Sequence, residues 1–301
     1  MFKRVILILG LLVSVPLAGQ ELPDLSNYQH NWMIFNPGFS GTREALSVSA
    51  FFRQKDFSVP GPVYEQLSAH TPLKNENVAL GASVFAEQNP GFSKTSAFFN
   101  YAYRVWTGGG RLSFGLSGGV SVYSESFQDL DLTNPDDPVF QANEQEYLPN
   151  FGAGIVYYTD DYFLGLSVPY FLTRGEERNS MTHDFNHYTA ILTGGYMWEL
   201  SEAFKVKPTF ITMVDVGTRS LNYQGSVNLA FFGERLWVGG IYKSSRAVSG
   251  IINIQLSHQV LLGYSYDYYL SNTNSYFNGS HEIVLRWEFR KAVPSRSPIY
   301  Y

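Results

Sequence analysis

His281-Glu282-Ile283-Val284-Leu285-Arg286-Trp287-Glu288-Phe289-Arg290 decides how this chain folds. Side chains alternate across a strand, so Ile283, Leu285, Trp287 and Phe289 share one face while Glu282, Arg286 and Glu288 share the other. A soluble sandwich would have to bury the apolar face against a second layer. A barrel in a bilayer instead turns that face to lipid and keeps the charged one in its lumen. The same division recurs at Ile252, Ile254 and Leu256 against Asn253, Gln255 and Ser257. It appears again at Leu112, Phe114 and Leu116 against Ser113, Gly115, Ser117 and Gly119.

Fourteen segments carry this period, at about 45–53, 62–70, 78–86, 94–106, 111–122, 150–159, 161–169, 187–198, 204–215, 223–231, 235–243, 248–257, 259–267 and 281–290. Their length of ~9 to 12 residues suits a tilted strand crossing a bilayer, and the count is even. The joints sort in the same sense. With the first strand running outward, the inner joints are short: 71–77, Thr107 to Gly110, Asp160, 199–203, 232–234, and His258 with Gln259. The long ones, 123–149, 170–186 and 268–280, all fall on the outer side, where such barrels carry their loops. Tyr101, Tyr103 and Trp106, Tyr157 and Tyr158, Tyr196 and Trp198, and Tyr264 to Tyr269 cluster near segment ends, as girdles at the headgroup boundary do. The expected fold is all-β, a transmembrane antiparallel β-barrel of about 14 strands of the outer-membrane type.

Composition agrees. Charged residues make up 16% of the 301, against roughly 25% in soluble proteins, and aromatics another 16%. Hydrophobic content of 45% with mean hydropathy -0.12 excludes a polytopic helical membrane protein, whose spans each need ~20 nearly continuous apolar residues. A net charge of -5 without a basic block gives nothing for nucleic-acid phosphate to bind. Cysteine is absent, which removes disulfides, thiolate metal sites and Cys nucleophiles together.

At the N-terminus, Lys3 and Arg4 precede an apolar run from Val5 to Val15, and small residues follow at Ala18 and Gly19. This is the pattern of a cleaved secretory signal peptide. The expected organisation is therefore a signal peptide over 1–19, an N-terminal periplasmic or lumen segment over 20–44, a barrel over 45–290 and a periplasmic tail over 291–301, where Pro294 and Pro298 cannot continue a central strand.

Catalytic and metal signatures are weak. His183 and His187 have zinc-like spacing, but in a loop entering a strand four residues extend ~13 Å, too far to share one ion. Asp129, Asp131, Asp136 and Asp137 lack the Gly and closing Glu of a calcium loop. No nucleophile elbow singles out a Ser, and Gly108-Gly109-Gly110 reads as a tight turn because no helix follows it. No catalytic residue, metal ligand or cofactor is expected.

Asn36-Pro37-Gly38-Phe39-Ser40-Gly41, a strand ending Phe52-Arg53-Gln54, and Pro60-Gly61-Pro62 resemble the opening of the PorP/SprF family of the type IX secretion system in the Bacteroidota. Gly38 and Ser40 stand where the family usually has Ala. His187-Tyr188 leading to Gly194-Gly195-Tyr196, then Gly239-Gly240-Ile241-Tyr242, Gly263-Tyr264-Ser265-Tyr266-Asp267 and Gly279-Ser280-His281-Glu282-Ile283 look like its later motifs in order. The resemblance implies an outer-membrane barrel without catalytic activity. Its partners would be outer-membrane lipid, periplasmic and outer-membrane secretion-machinery proteins, and sorting domains of secreted cargo, in some members gliding-associated adhesins. A diffusion porin or a transporter of small or hydrophobic solutes is the competing expectation. An open water path would favour it, while a lumen filled by side chains and the N-terminal segment would favour a docking platform. The residues singled out are Asn36, Pro37, Gly41, Arg53, Asp267, Gly279, His281 and Glu282. Asn36-Pro37 is expected at the periplasmic mouth or inside the barrel. Asp267 and Glu282 are expected in the lumen, paired with Arg or Lys, because an unpaired charge facing lipid is costly.

Overall fold

The structure, a computed structural model, describes residues 23–55, 61–74, 76–125, 144–174, 181–182, 188–201, 203–270, 279–289 and 299. The signal-peptide reading of 1–19, Asp129 to Asp137, and His183 with His187 lie outside the described residues.

The strands are β1 (Leu46–Lys55), β2 (Val63–Pro72), β3 (Val78–Asn89), β4 (Phe92–Thr107), β5 (Gly110–Glu125), β6 (Glu144–Tyr158), β7 (Tyr162–Val168), β8 (Thr173–Arg174), β9 (Met181–Thr182), β10 (Thr189–Tyr196), β11 (Trp198–Ser201), β12 (Phe204–Asp215), β13 (Leu221–Phe231), β14 (Leu236–Lys243), β15 (Ala247–Gln255), β16 (Val260–Tyr269) and β17 (Ser280–Phe289). β8 and β9 pair only with each other, in the connection from β7 to β10. β11 continues β10 past Met197, which turns inward and donates its amide to the Asp161 carbonyl at 2.8 Å. The remainder is an antiparallel meander of fourteen barrel strands, closed where β1 pairs with β17 and Ala50 stands opposite Leu285. Closure leaves no sheet edge unpaired in the membrane, the condition for a β structure to cross one.

The start of β1, the end of β17 and the short joints lie at one end of the barrel, for example Gly108-Gly109 between β4 and β5 and Asp160 between β6 and β7. The segments 126–143, 169–188 and 270–279 connect strands at the other end. The first end is therefore periplasmic and the second external. β4, β5 and β6 run 16, 16 and 15 residues, beyond the ~9 to 11 that a bilayer requires, so this sector of wall stands above the membrane on the outer side.

Burial follows the alternation. Phe99 is 73% and Leu116 61% exposed on the outside, while Ser113, at an inward position of β5, is fully buried. Tyr103, Trp106, Tyr162, Trp198 and Trp287 ring the periplasmic side, and Tyr147, Tyr223, Tyr242 and Tyr268 the outer side. Trp106 carries the Arg111 guanidinium 4.1 Å over its ring. A lipid-covered exterior predicts a specific failure: Leu116→Arg places a cation in the apolar band and should destabilise the folded barrel by ~2–4 kcal/mol, read from urea titrations in phospholipid vesicles.

Candidate functional site: the occupied lumen

The lumen contains the chain's own N-terminal segment. Residues 25–33 and 35–43 are buried, and they fold as three single turns of 3-10 helix, Tyr28–His30, Trp32–Ile34 and Pro37–Phe39. Turns this short have no core of their own and depend on the wall. The third has local reasons to form: the Asn36 side chain accepts from the Gly38 amide at 2.9 Å, and Pro37 presets the first turn without needing a donor.

One anchor lies near the outer end, on β16 and β17. Glu282, fully buried, accepts the amides of Ser26 at 2.9 Å and Asn27 at 2.6 Å. Arg53 reaches both Asp267, at 2.7 Å, and Glu282, at 3.3 Å. Lys243 pairs with Asp267 at 2.9 Å and with Asp24 at 3.0 Å. Three carboxylates thus face two cations, and the excess negative charge sits where two backbone N–H groups point at it. Charge-assisted bonds of this kind are the stronger class of hydrogen bond.

The opposing anchor is Asn36. Its amide nitrogen donates to the carbonyls of Ile155 at 3.1 Å and Leu166 at 3.3 Å, which stand opposite each other on β6 and β7. Around the fourteen strands, β7 lies seven from β17 and β6 seven from β16, so the segment is pinned at diametrically opposed points. Between them Trp32 stacks on Phe39 at 5.6 Å and meets the rings of Tyr28 and Phe163 edge-on at 5.0 and 5.1 Å. Near the periplasmic end the Gly41 amide donates to His70 Nδ1 at 3.0 Å, Arg104 donates to the Gly41 carbonyl at 2.7 Å, and Arg43 pairs with Glu288 at 2.7 Å. The segment therefore descends the lumen from outer mouth to periplasmic mouth before β1 begins.

The wall makes room with glycines. A Cβ on Gly115 would overlap the Gly38 nitrogen and the Pro37 carbonyl carbon, and one on Gly154 would overlap Asn36 Oδ1. Two clefts beside the segment, one lined by Met33, Phe85, Phe98 and Tyr170 and one by Asp24, Met213, Gln224 and Lys243, hold about 20 and 30 Å³, room for about one water each.

Asn36, Pro37 and Gly41 lie in the lumen segment, and Arg53, Asp267 and Glu282 form its outer anchor. Gly41 takes φ 72° and Gly279 takes φ 115°, backbone that an L side chain rarely adopts; Gly279 turns the chain into β17 against the Asp267 carbonyl. His281 is not in the lumen. It faces outward, with Nδ1 2.8 Å from the Tyr264 hydroxyl and its ring 5.0 Å from that of Tyr266. In the C-terminal tail, Ile299 is 2% exposed in the apolar cluster with Leu25, Trp32 and Phe39, so this residue is packed rather than solvated. Sequence reasoning missed Tyr28, Gln29, Asn31 and Arg43, whose signal was the mixture of Asn, Gln and Ser with Tyr, Trp and Phe over 25–43 in neither a helical nor a strand period. Among the described residues no group of three or more His, Cys, Asp or Glu side chains is placed to hold a metal ion.

Asn36→Ala removes the turn cap and both wall contacts together. It should loosen the segment by ~1–2 kcal/mol, seen as faster amide hydrogen exchange confined to residues 23–43 while the strand amides keep their protection.

The sequence profile of a family described as Type IX secretion system membrane protein PorP/SprF matches residues 17–287. No curated protein matches the chain by sequence. Among solved structures, the CymD monoaromatic hydrocarbon channel is similar at 12% identity, covering 91% of this chain and 95% of that one with a TM-score of 0.51. The Pseudomonas putida toluene transporter TodX is similar at 10% identity, covering 86% and 93%, TM-score 0.50. Omp33 of Acinetobacter baumannii covers 82% and 98% at 9% identity, TM-score 0.48. At such identities the likenesses to CymD and TodX concern the fold.

Proposed function

The chain belongs to the PorP/SprF family of type IX secretion system membrane proteins, and from that premise we propose that it is a non-catalytic docking component of the system in the outer membrane. On this reading residues 1–19 are removed on export. The periplasmic turns, the mouth of the barrel and its loops engage machinery proteins or the sorting domain of cargo bound for secretion or surface attachment, gliding adhesins included. The observation that carries the reading is the filled lumen: residues 23–43 occupy the space through which a porin would pass solute. The competing reading, uptake of a small or hydrophobic solute, draws on the fold shared with the hydrocarbon channel and the toluene transporter. On that reading the segment, buried over 25–33 and 35–43, moves aside to admit the solute.

The test is a strain lacking this protein. Loss of a defined set of secreted or surface-attached proteins, restored by the gene in trans, is the expected result. An unchanged secretome with lost uptake of one solute would overturn the docking reading in favour of transport.

A further inference from the structure

β6 outlasts one of its neighbours. It pairs with β5 along its whole length, from Glu144 opposite Glu125 to Tyr158 opposite Arg111, but with β7 only between Ala153 and Tyr158. The chain beyond β7 does not continue that ladder, because the inward-facing Asn150 side chain holds it. Asn150 Oδ1 accepts from Phe171 N at 3.0 Å and Leu172 N at 3.1 Å, and its Nδ2 donates to the Leu172 carbonyl at 2.6 Å. Tyr170 lies inside against Phe98, with ring centroids 5.4 Å apart. β8 and β9 pair only with each other. Among the described strands, β6 from Glu144 to Pro149 therefore has a partner on one side only.

Successive residues of a strand send their N–H and C=O to opposite sides. The Phe151 carbonyl faces the β7 side, where it accepts from Phe171 N at 2.9 Å. By that alternation the open side carries the C=O of Pro149 and both the N–H and C=O of Tyr147 and Gln145, a row of five groups. They stand in the raised outer wall, where the bilayer does not forbid an open edge. Pro149 offers no N–H and closes the row toward the membrane. The opposite flank of the raised wall has no such row, since β2 pairs with β3 as far as Gln88, and β3 ends at Asn89.

We propose that this edge of β6 is a binding site for an extended segment of another polypeptide, which adds a strand to the wall outside the cell. A row of donors and acceptors at strand spacing is met in full by another main chain, and side chains then set the preference. Tyr147, 61% exposed on the outward face, favours an aromatic or β-branched residue beside it. Glu146, on the inward face, disfavours an acidic residue opposite it and favours Lys or Arg. A second copy of this chain does not fit the edge. Barrel strands tilt ~35–45° from the membrane normal, so two copies related by a two-fold axis along that normal would set their β6 strands crossing at roughly 70–90°, and no ladder forms between them. That the added segment belongs to secreted or surface-attached cargo rests on the docking reading; strand addition does not.

The probe is a fluorescein-labelled heptapeptide, Lys-Val-Lys-Tyr-Lys-Val-Lys, titrated against the full-length protein in detergent micelles by fluorescence anisotropy. Saturable binding is expected, with the Gln145 and Tyr147 amides passing from fast to slow hydrogen exchange as the peptide saturates. Gln145→Pro and Tyr147→Pro each delete an N–H on the open side and leave the ladder to β5 intact. Each should weaken binding by at least about tenfold, because a donor is lost and a ring stands where the incoming chain must lie. Retained protection of the β5 amides shows that the variants are folded. Unimpaired binding by both proline variants, or no saturable binding by wild type, overturns the inference. So does slow exchange at both amides before peptide is added, which would mean that the chain covers its own edge. None of these results bears on the secretome of the deletion strain, which judges the docking reading separately.

Discussion

Leucine at Gly115 is expected to unseat residues 23–43 while the barrel stays folded. A Cβ at this position already overlaps the Gly38 nitrogen and the Pro37 carbonyl carbon, main-chain atoms with no rotamer to change, and three further carbons extend into the same space. Overpacking of this sort costs ~1–3 kcal/mol when neighbours can shift, and here the neighbour is a turn clamped by Asn36 and Ser113. The strand ladder of β5 with β4 and β6 does not involve that side chain. The wall therefore has no reason to open, and the turn does. Two measurements check this. Planar bilayers containing the variant should show open-lumen conductance where wild type is closed, and trypsin should cut after Arg43, which is 3% exposed in the native protein. Gly118 on the same strand has open space around a Cβ, so Gly118→Ala should leave both readouts unchanged. A closed, trypsin-resistant Gly115→Leu barrel would mean that the segment does not rest against β5 as described.

The wall was far more legible in the sequence than its contents. Lipid on one side and a polar lumen on the other impose a strict period of two, which is why Ile283 to Phe289 could be placed at once and why fourteen strands could be found. The period weakens wherever a strand leaves the bilayer. β6 starts at Glu144 rather than near 150 because its first residues, Gln145 and Glu146 among them, stand in the raised outer wall, where neither face meets lipid. The segment read as one strand over 187–198 breaks at Met197, and the register along β12 shifts again between Glu199 and Ser201, a bulge that leaves no mark on hydrophobic alternation. The lumen segment follows no period at all. Its residues are chosen by whichever wall group stands opposite: Asn31 by Ser68, Tyr28 by Thr209 and Ser226, Gln29 by Asn228. Such partners are 37 to 199 positions away in sequence. Charge was the exception. Asp267 and Glu282 could be assigned to the lumen because lipid forbids them, although Asp24, Arg53 and Lys243 as one connected group could not be read from spacing.

Glu282→Ala should release the outer end of the segment and produce the largest loss of any single polar substitution in the lumen. The carboxylate carries two backbone amides and one guanidinium contact in a position with no access to solvent. Removing one partner of a buried charge pair costs ~3–5 kcal/mol, because the desolvated groups left behind keep their penalty. At about 1.4 kcal/mol per factor of ten, the ratio of docked to released segment should fall by roughly two to four orders of magnitude. The amides of Ser26 and Asn27 report it directly through accelerated hydrogen exchange, and strand amides of β16 and β17 serve as the internal control. Glu282→Gln keeps one acceptor and loses the charge, so its effect should fall between wild type and Ala. Arg53→Gln and Glu282→Gln each remove the same Arg53–Glu282 contact, so the double variant should lose less than the sum of the two singles. Strict additivity would show that Arg53 and Glu282 act independently, with Asp267 alone holding the guanidinium. Unchanged exchange at Ser26 and Asn27 in the Ala variant would place the outer anchor elsewhere.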